Sequence, residues 1–241
     1  MIDLARHRAS IVADAATIAS TLRSNADAAI VHCPGWSVAD LVRHHGEVFR
    51  WAATIVRTGE LDPLEYEGPA DVDELGGWYD EGLAMLLDAF DGVDPQRPCW
   101  TFGYPPSATW FWWRRQALEA AVHRWDAQLA IGTPDGFDPS LAADGIAEVA
   151  TMFFPRQVDL GRTPPLSAPV TVRATDAASH GLDPRWTLPG DADEPAGELA
   201  GPLDELLLLL WRRRSFDDDD TVTVSGPPSL RAELAATRFA P

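Results

Sequence analysis

Lysine is absent from this chain of 241 residues, and all 19 of its basic side chains are arginine. Lysine Schiff-base catalysis and the phosphate-binding loop both depend on a lysine amine, so both are excluded. Cysteine is scarce as well, because Cys33 and Cys99 are too few for a disulfide framework or a zinc ribbon. The longest apolar run, residues 206–211, is far shorter than the roughly 20 residues that a membrane span needs.

Positive charge is also in short supply. The 37 acidic and 19 basic side chains give a formal net charge of −18. A surface of this sign repels phosphate groups, which excludes nucleic acid and anionic membranes as partners. The first residues contain no apolar run of the signal-peptide kind, so we expect a cytoplasmic protein.

The composition is that of a folded protein, with 46% hydrophobic and 23% charged residues. Its pattern changes near residue 157, where long helical periodicity gives way to short β-like segments. We therefore predict two domains of an α+β protein: a helical bundle over residues 1–157 and a small α/β domain over residues 165–241.

Local signals place the elements of both domains. Ser37 and Asp40 have the spacing of a capping box at the start of one helix, Ser107 is the predicted cap of another, and Gly132 is its predicted end. The predicted helices are 4–23, 38–57, 72–90, 108–131, 139–154, 202–211 and 230–239, and the predicted strands are 170–174, 185–188 and 221–224. The acidic run 217–220 is expected to be a solvated turn.

Two metal-ligand types lie one turn apart on the helix predicted for residues 108–131. Glu119 and His123 are four residues apart and project from one face, and Asp126 lies near the same stripe. A carboxylate and an imidazole so placed can converge on one divalent ion. Such a pair is more often a simple hydrogen bond, so the spacing alone does not decide between the two interpretations.

A histidine pair, His44 and His45, interrupts the apolar pattern of the second helix. Each is spaced from Leu41 and from a following apolar residue as a core position would be, so periodicity does not choose between them. A histidine facing Glu119 and His123 across a bundle is the layout of a bundle metal site. Two imidazoles and one carboxylate would leave a coordination position open, as in catalytic zinc sites, and would also suit iron, nickel or manganese.

Three segments carry a family resemblance. The sequence CPGWSVADLVRH over residues 33–44, AAVHRWD over 120–126 and GPLDELLLLLW over 201–211 resemble, in this order, the blocks of the mycothiol-dependent maleylpyruvate isomerase family. The resemblance covers both halves of the chain.

The resemblance implies a fold and a ligand set. It implies a DinB-like four-helix bundle that holds a divalent metal, usually zinc, followed by a small C-terminal α/β domain. The family pattern falls on His44, Glu119 and His123, so it selects His44 rather than its neighbour. The C-terminal block commonly reads Trp-Gly-Arg; Arg213 matches that arginine, and Arg212 replaces the glycine.

The resemblance also implies an enzyme with mycothiol as its thiol cofactor. A zinc-bound thiolate would add to the cis double bond of maleylpyruvate, and elimination after rotation would give fumarylpyruvate. A mycothiol S-transferase acting on electrophiles is the alternative enzyme, and a non-catalytic protein that binds metal or a small ligand is the alternative outside catalysis.

The predicted partners are mycothiol and a small electrophilic or anionic substrate, bound by a monomer or a homodimer. Arg213 and Arg115 are the candidate substrate-binding residues, because a dianion favours a bidentate cation. The alternative for each is a surface ion pair on this acidic protein. Cys33 and Cys99 have no obvious base beside them and are expected to be buried or half-buried residues. The tryptophans at 100, 110, 112 and 113 would line a pocket or fill core.

Overall fold

Two units divide the chain in the computed structural model, Met1–Asp135 and Gly136–Pro241, and the structure describes residues 4–63, 65–102, 107–217 and 221–241. The first unit is a bundle of four helices and the second is a small sheet-and-helix domain, which confirms the predicted fold class. The bundle helices are α1 (Leu4–Asn25), α2 (Val38–Thr58), α3 (Val72–Gly92) and α4 (Trp110–Ala130).

Helix α4 is the most enclosed helix of the bundle. It packs on α1 and also on α2, which in turn packs on α3. Because α4 has neighbours on more than one side, 16 of its 21 residues are buried, including charged and polar ones. These buried polar groups supply most of the candidate site described below.

Local signals set the ends of α2 as the sequence predicts. The Ser37 hydroxyl accepts a hydrogen bond from the backbone N–H of Asp40, and the Asp40 carboxylate accepts one from the backbone N–H of Ser37. The helix ends at Gly59, whose φ of +84° suits glycine. Both features confirm the predicted second helix.

The start of α4 differs from the prediction. The helix begins at Trp110, and Ser107 does not cap it. The Ser107 carbonyl instead accepts a hydrogen bond from Cys99, and the Thr109 hydroxyl donates to the Asp94 carbonyl. These contacts hold the preceding loop in an extended pairing, which moves the helix start by two residues, about half a turn. Gly132, with a φ of +76°, follows the helix end as predicted.

The second unit contains a four-stranded sheet. Its strands are β1 (Val170–Ala174), β2 (Arg185–Leu188), β3 (Gly197–Gly201) and β4 (Thr223–Ser225), in the order β2-β1-β3-β4. The β1–β3 pairing is parallel, and the other two are antiparallel. The sequence predicts β1 and β2 correctly and places β4 close to its position, but it misses β3.

The helices of the second unit are α5 (Pro139–Glu148), α6 (Phe154–Asp159), α7 (Leu203–Leu210) and α8 (Leu230–Ala236), and a π-helical turn, Val149–Phe153, joins α5 to α6. The expected boundary at residues 157–165 differs from the observed one, because α5 packs on α7. The backbone N–H of Phe137 also donates to Asp204 at 3.2 Å, which ties the start of this region to α7.

Among the described residues, Arg212 is the one non-glycine residue with a positive φ, +59°, immediately after α7. The acidic run 217–220 lies mostly outside the described residues. In the described part of the chain, we find no helix with the length and apolar character needed to cross a membrane.

Candidate metal centre

The structure brings His44, Glu119 and His123 together in the first unit. One potential ligand atom from each lies within 4.8 Å of the other two. His123 Nε2 is 3.1 Å from Glu119 Oε1, and His44 Nε2 is 3.8 Å from the same oxygen. Helix α4 supplies the glutamate and one histidine from successive turns, and α2 supplies the other histidine.

These distances suit a small divalent ion. Ligand bonds of about 2.1 Å in a tetrahedral arrangement place neighbouring ligand atoms about 3.4 Å apart. The observed separations of 3.1 and 3.8 Å lie on either side of that value. The three side chains therefore fit a metal ion after small movements, and they would leave a further coordination position for another ligand.

Asp126 orients His123. Its carboxylate, 1% exposed as a residue, lies 3.2 Å from His123 Nδ1 and accepts a hydrogen bond from it. With Nδ1 so occupied, Nε2 is the nitrogen left to bind metal, which is the usual role of a carboxylate behind a ligating histidine. The sequence placed Asp126 near the right helix face without giving it a role; its spacing of three from His123 was the available signal.

Arg115 plays a corresponding role for Glu119. The arginine is 4% exposed and forms an ion pair with Glu119 Oε2, one turn along α4. The other oxygen, Oε1, is the one that faces the two histidines. The alternative prediction for Arg115, an ion pair on the protein surface, is therefore wrong: the residue does form an ion pair, but the pair is buried. The guanidinium binds the candidate ligand, and a substrate-binding role for Arg115 stays a prediction.

The pKa values of the cluster reflect this network. Burial alone would raise the pKa of Glu119, but the charge of Arg115 and hydrogen bonds from both histidines hold it well below its usual value. Burial alone would lower the pKa of His123, but Asp126 and Glu119 raise it to about 9. Without a metal, His123 is therefore protonated at neutral pH and donates from both nitrogens.

The adjacent histidines of α2 have different surroundings. His45 is fully buried, and its Nδ1 lies 2.9 Å from the Tyr79 hydroxyl. Burial and the nearby charge of His123 hold the pKa of His45 well below its usual value. The His44 side chain is 37% exposed and lies against Trp36 and His123. His45 is thus the core histidine, and His44 is the one in the cluster.

A cleft of about 340 Å³ adjoins the cluster on the exposed side of His44. The other residues that line it lie on α2 or in the loop after it: Glu47, Val48, Trp51, Glu65, Tyr66 and Glu67. Val48 and Trp51 are half-buried because they face this cleft.

Aromatic packing fixes the wall of the cleft. The Trp51 indole N–H donates to the Asp62 carbonyl, and its ring packs edge-on against the fully buried Trp112. The tryptophans at 100 and 112 thus support the cleft wall from behind. Cys99 is buried with a raised pKa caused by burial, and Cys33 is half-buried, as expected for residues that are not nucleophiles.

Arg213, the other candidate for substrate binding, belongs to the second unit. Its Nη1 donates to the Trp211 carbonyl at 3.0 Å, and its guanidinium lies 6.0 Å from the centre of the Trp211 ring. A role in binding substrate stays a prediction for this residue.

Comparison with known proteins identifies the family. The model of the mycothiol maleylpyruvate isomerase N-terminal domain matches residues 8–128, and that of the MDMPI C-terminal domain matches residues 140–233. Two crystal structures resemble the chain, those of the mycothiol-dependent maleylpyruvate isomerase and of a histidine-to-alanine mutant of it. Each has a TM-score of 0.64 and covers 93% of both chains, at 12% and 13% identity respectively. No curated protein sequence matches significantly. This chain belongs to the mycothiol-dependent maleylpyruvate isomerase family.

Proposed function

We propose that this protein is a metal-dependent enzyme that uses mycothiol to attack a small molecule with an activated double bond. The proposal rests mainly on the convergence of His44, Glu119 and His123. Arg115 binds the Glu119 oxygen that points away from the cluster, and Asp126 binds the His123 nitrogen that points away from it. A divalent ion bound there, zinc in our proposal, would hold the mycothiol sulfur as a nucleophilic thiolate at neutral pH.

The residues of the chain prepare this site. Asp126 fixes the His123 ring so that Nε2 points into the cluster, and Arg115 fixes the Glu119 carboxylate so that Oε1 does. His45 lies behind them, held by Tyr79, and its depressed pKa keeps a further positive charge away from the cluster. The half-exposed His44 leaves one side of the site open to the cleft.

The family supports isomerisation as the overall reaction. Addition of sulfur to a cis double bond gives a single bond that rotates, and elimination then restores the thiol and gives the trans product. A mycothiol S-transferase would stop after sulfur transfer and is the second candidate. It is favoured by the ion pair of Arg115 with Glu119, since this arginine then has no free charge to offer a dianionic substrate.

Elemental analysis tests the metal site first. We expect about one divalent ion per chain in the wild type and none in the His44→Ala, His123→Ala double variant. His180→Ala is the matched control, because His180 is an exposed histidine of the second unit. A wild type without metal, even after incubation with zinc, would contradict the proposed mechanism.

Activity assays then separate the two candidate reactions. Conversion of maleylpyruvate to fumarylpyruvate with catalytic mycothiol would identify an isomerase. Stoichiometric consumption of mycothiol with formation of a stable thioether would identify an S-transferase. A metal-loaded protein that accelerates neither reaction would support the non-catalytic alternative.

A further inference from the structure

The cleft beside His44 is lined by carboxylates and by no arginine among the described residues. Glu65 and Glu67 are exposed in the loop after α2, and Glu47 is half-buried on α2, where its carboxylate accepts a weak hydrogen bond from Gly68 at 3.4 Å. Three negative groups thus surround a space of about 340 Å³ that adjoins a candidate metal ligand.

Nearby arginines do not offset this charge. Arg43 contacts the same loop through the Pro69 carbonyl, but its guanidinium is paired with Asp40 at 2.9 Å. Arg50 lies over the Trp78 ring, donates to the backbone carbonyls of Gly46 and Trp78, and pairs with the Glu81 carboxylate at 3.9 Å. Arg115 is paired with Glu119. Each of these arginines is therefore already paired with a carboxylate of the same chain.

We propose that this cleft selects small molecules by charge, admitting neutral and cationic molecules and repelling dianions. This inference rests on the proposed function where it concerns the substrate: the electrophile that meets the thiol is then neutral or cationic, unlike the dianion maleylpyruvate. The physical reason is that like charges repel across a few ångströms, and the walls of a cleft concentrate the field of the groups that line it.

The aromatic groups of the cleft fit the same ligand class. Trp51 and Tyr66 present apolar rings, and their polar atoms are already bonded: the indole N–H to the Asp62 carbonyl and the phenol to Asp62 and Thr54. What remains for a ligand is an apolar surface with carboxylate acceptors at its edge. Such a surface favours a neutral or cationic molecule with an apolar part.

Fluorescence quenching tests charge selection without any assumption about catalysis. Trp51 lines the cleft, and the difference between the wild type and Trp51→Phe isolates its emission. We expect caesium to quench this emission at least about fivefold more than iodide at low salt, each relative to free N-acetyltryptophanamide. Iodide quenching equal to or above that of caesium would overturn the proposal.

Neutralising variants identify the groups responsible. In the Glu47→Gln, Glu65→Gln, Glu67→Gln triple variant, the preference for caesium should fall to about onefold to twofold. The matched control is Asp27→Asn, Glu74→Gln, Asp80→Asn, which removes three exposed acids of the same unit outside the cleft lining. Circular dichroism should show that both triple variants keep the fold. An equal loss of preference in the control would assign the effect to net charge and overturn the proposal.

Turnover tests the substrate. Maleate and dimethyl maleate both contain one cis double bond, but maleate is a dianion and the ester is neutral. For each compound, acceleration is the rate with protein and mycothiol divided by the rate with mycothiol and no protein. We expect wild-type, zinc-loaded protein to accelerate the ester more than the dianion. The cleft triple variant should gain about tenfold in kcat/KM for maleate and change by less than about twofold for the ester.

The outcomes separate this inference from the proposed function. Greater acceleration of maleate that the triple variant does not alter would overturn the inference and indicate an anion-binding group outside the cleft. Acceleration of neither compound by metal-loaded protein would refute the proposed function and the substrate part of this inference. The quenching result would still decide whether the cleft selects by charge.

Discussion

The two sides of the candidate metal centre are built differently. On the α4 side, Glu119 and His123 are each held by a second buried side chain, Arg115 or Asp126. On the α2 side, His44 is half-exposed, touches aromatic rings and borders an open cleft. The difference indicates a division of roles, because buried partners fix ligand geometry while an exposed ligand lets small molecules approach.

Among the substitutions that test this difference, removing Arg115 should change the free energy of unfolding most. In Arg115→Met, the buried Glu119 carboxylate loses its arginine and keeps only its contacts with His123 and His44. This loss should destabilise the metal-free protein by about 3–5 kcal/mol. Chemical denaturation in the presence of a chelator measures this. Arg57→Met is the control, because the exposed Arg57–Asp88 pair contributes about 0–1 kcal/mol. Equal losses in the two variants would contradict a special role of the buried pair.

The pH dependence should have opposite signs for stability and for metal binding. The pKa of His123 in the metal-free fold, about 9, is raised above its unfolded value. Its stabilising contribution, on the order of 3 kcal/mol, is therefore complete below about pH 6.5 and is lost as the pH rises through 9. Because Nε2 must lose its proton to bind metal, zinc affinity should instead rise about tenfold per pH unit up to pH 9. Denaturation and metal titration at pH 6.5, 7.5 and 8.5 measure both, and parallel trends would refute this assignment.

Asp126→Asn tests the positioning of His123 with a smaller effect. An amide can present its N–H to the ring and favour the wrong tautomer, so metal affinity should fall about 10–100-fold. Competition with a chromophoric chelator measures the affinity. Asp40→Asn, which changes a half-buried acid of the α2 cap, should leave the metal affinity unchanged. An Asp126 variant with wild-type affinity would place this residue outside the metal centre.

The neighbouring histidines should separate metal binding from stability. His44→Phe should lose metal and change the free energy of unfolding little, because its side chain is half-exposed. His45→Phe should keep metal and lose about 1–2 kcal/mol, since the Tyr79 hydroxyl is then buried without its partner. Metal content and denaturation of the two variants distinguish the positions, and the reversed result would exchange their roles.

Much of the fold followed from the sequence because its signals are local. The Ser37–Asp40 capping box and Gly132 fixed helix ends through contacts within a few residues. Strand β3, with a glycine at each end, has little intrinsic strand character and is formed by its parallel pairing with β1. That pairing joins residues distant in the sequence, so no local pattern predicts it.

The candidate site was predictable to a similar degree. Spacing placed Glu119 and His123 on one face, but the choice of His44 over His45 required the family resemblance. The structure gives the reason: the core stripe of α2 runs through His45 and Phe49, and this turns His44 toward α4 and the cleft. Arg115 was predicted to meet substrate or a surface acid, and only tertiary burial shows that it pairs with Glu119 inside the bundle.

The backbone at Arg212 has a consequence for protein engineering. A φ of +59° is the left-handed conformation, which costs a residue with a Cβ about 1 kcal/mol and costs glycine almost nothing. The glycine that the family resemblance implies at this position would suit this backbone conformation. Arg212→Gly should therefore raise the thermal stability and leave the sheet and α7 unchanged. It is a simple starting point for engineering a more thermostable variant.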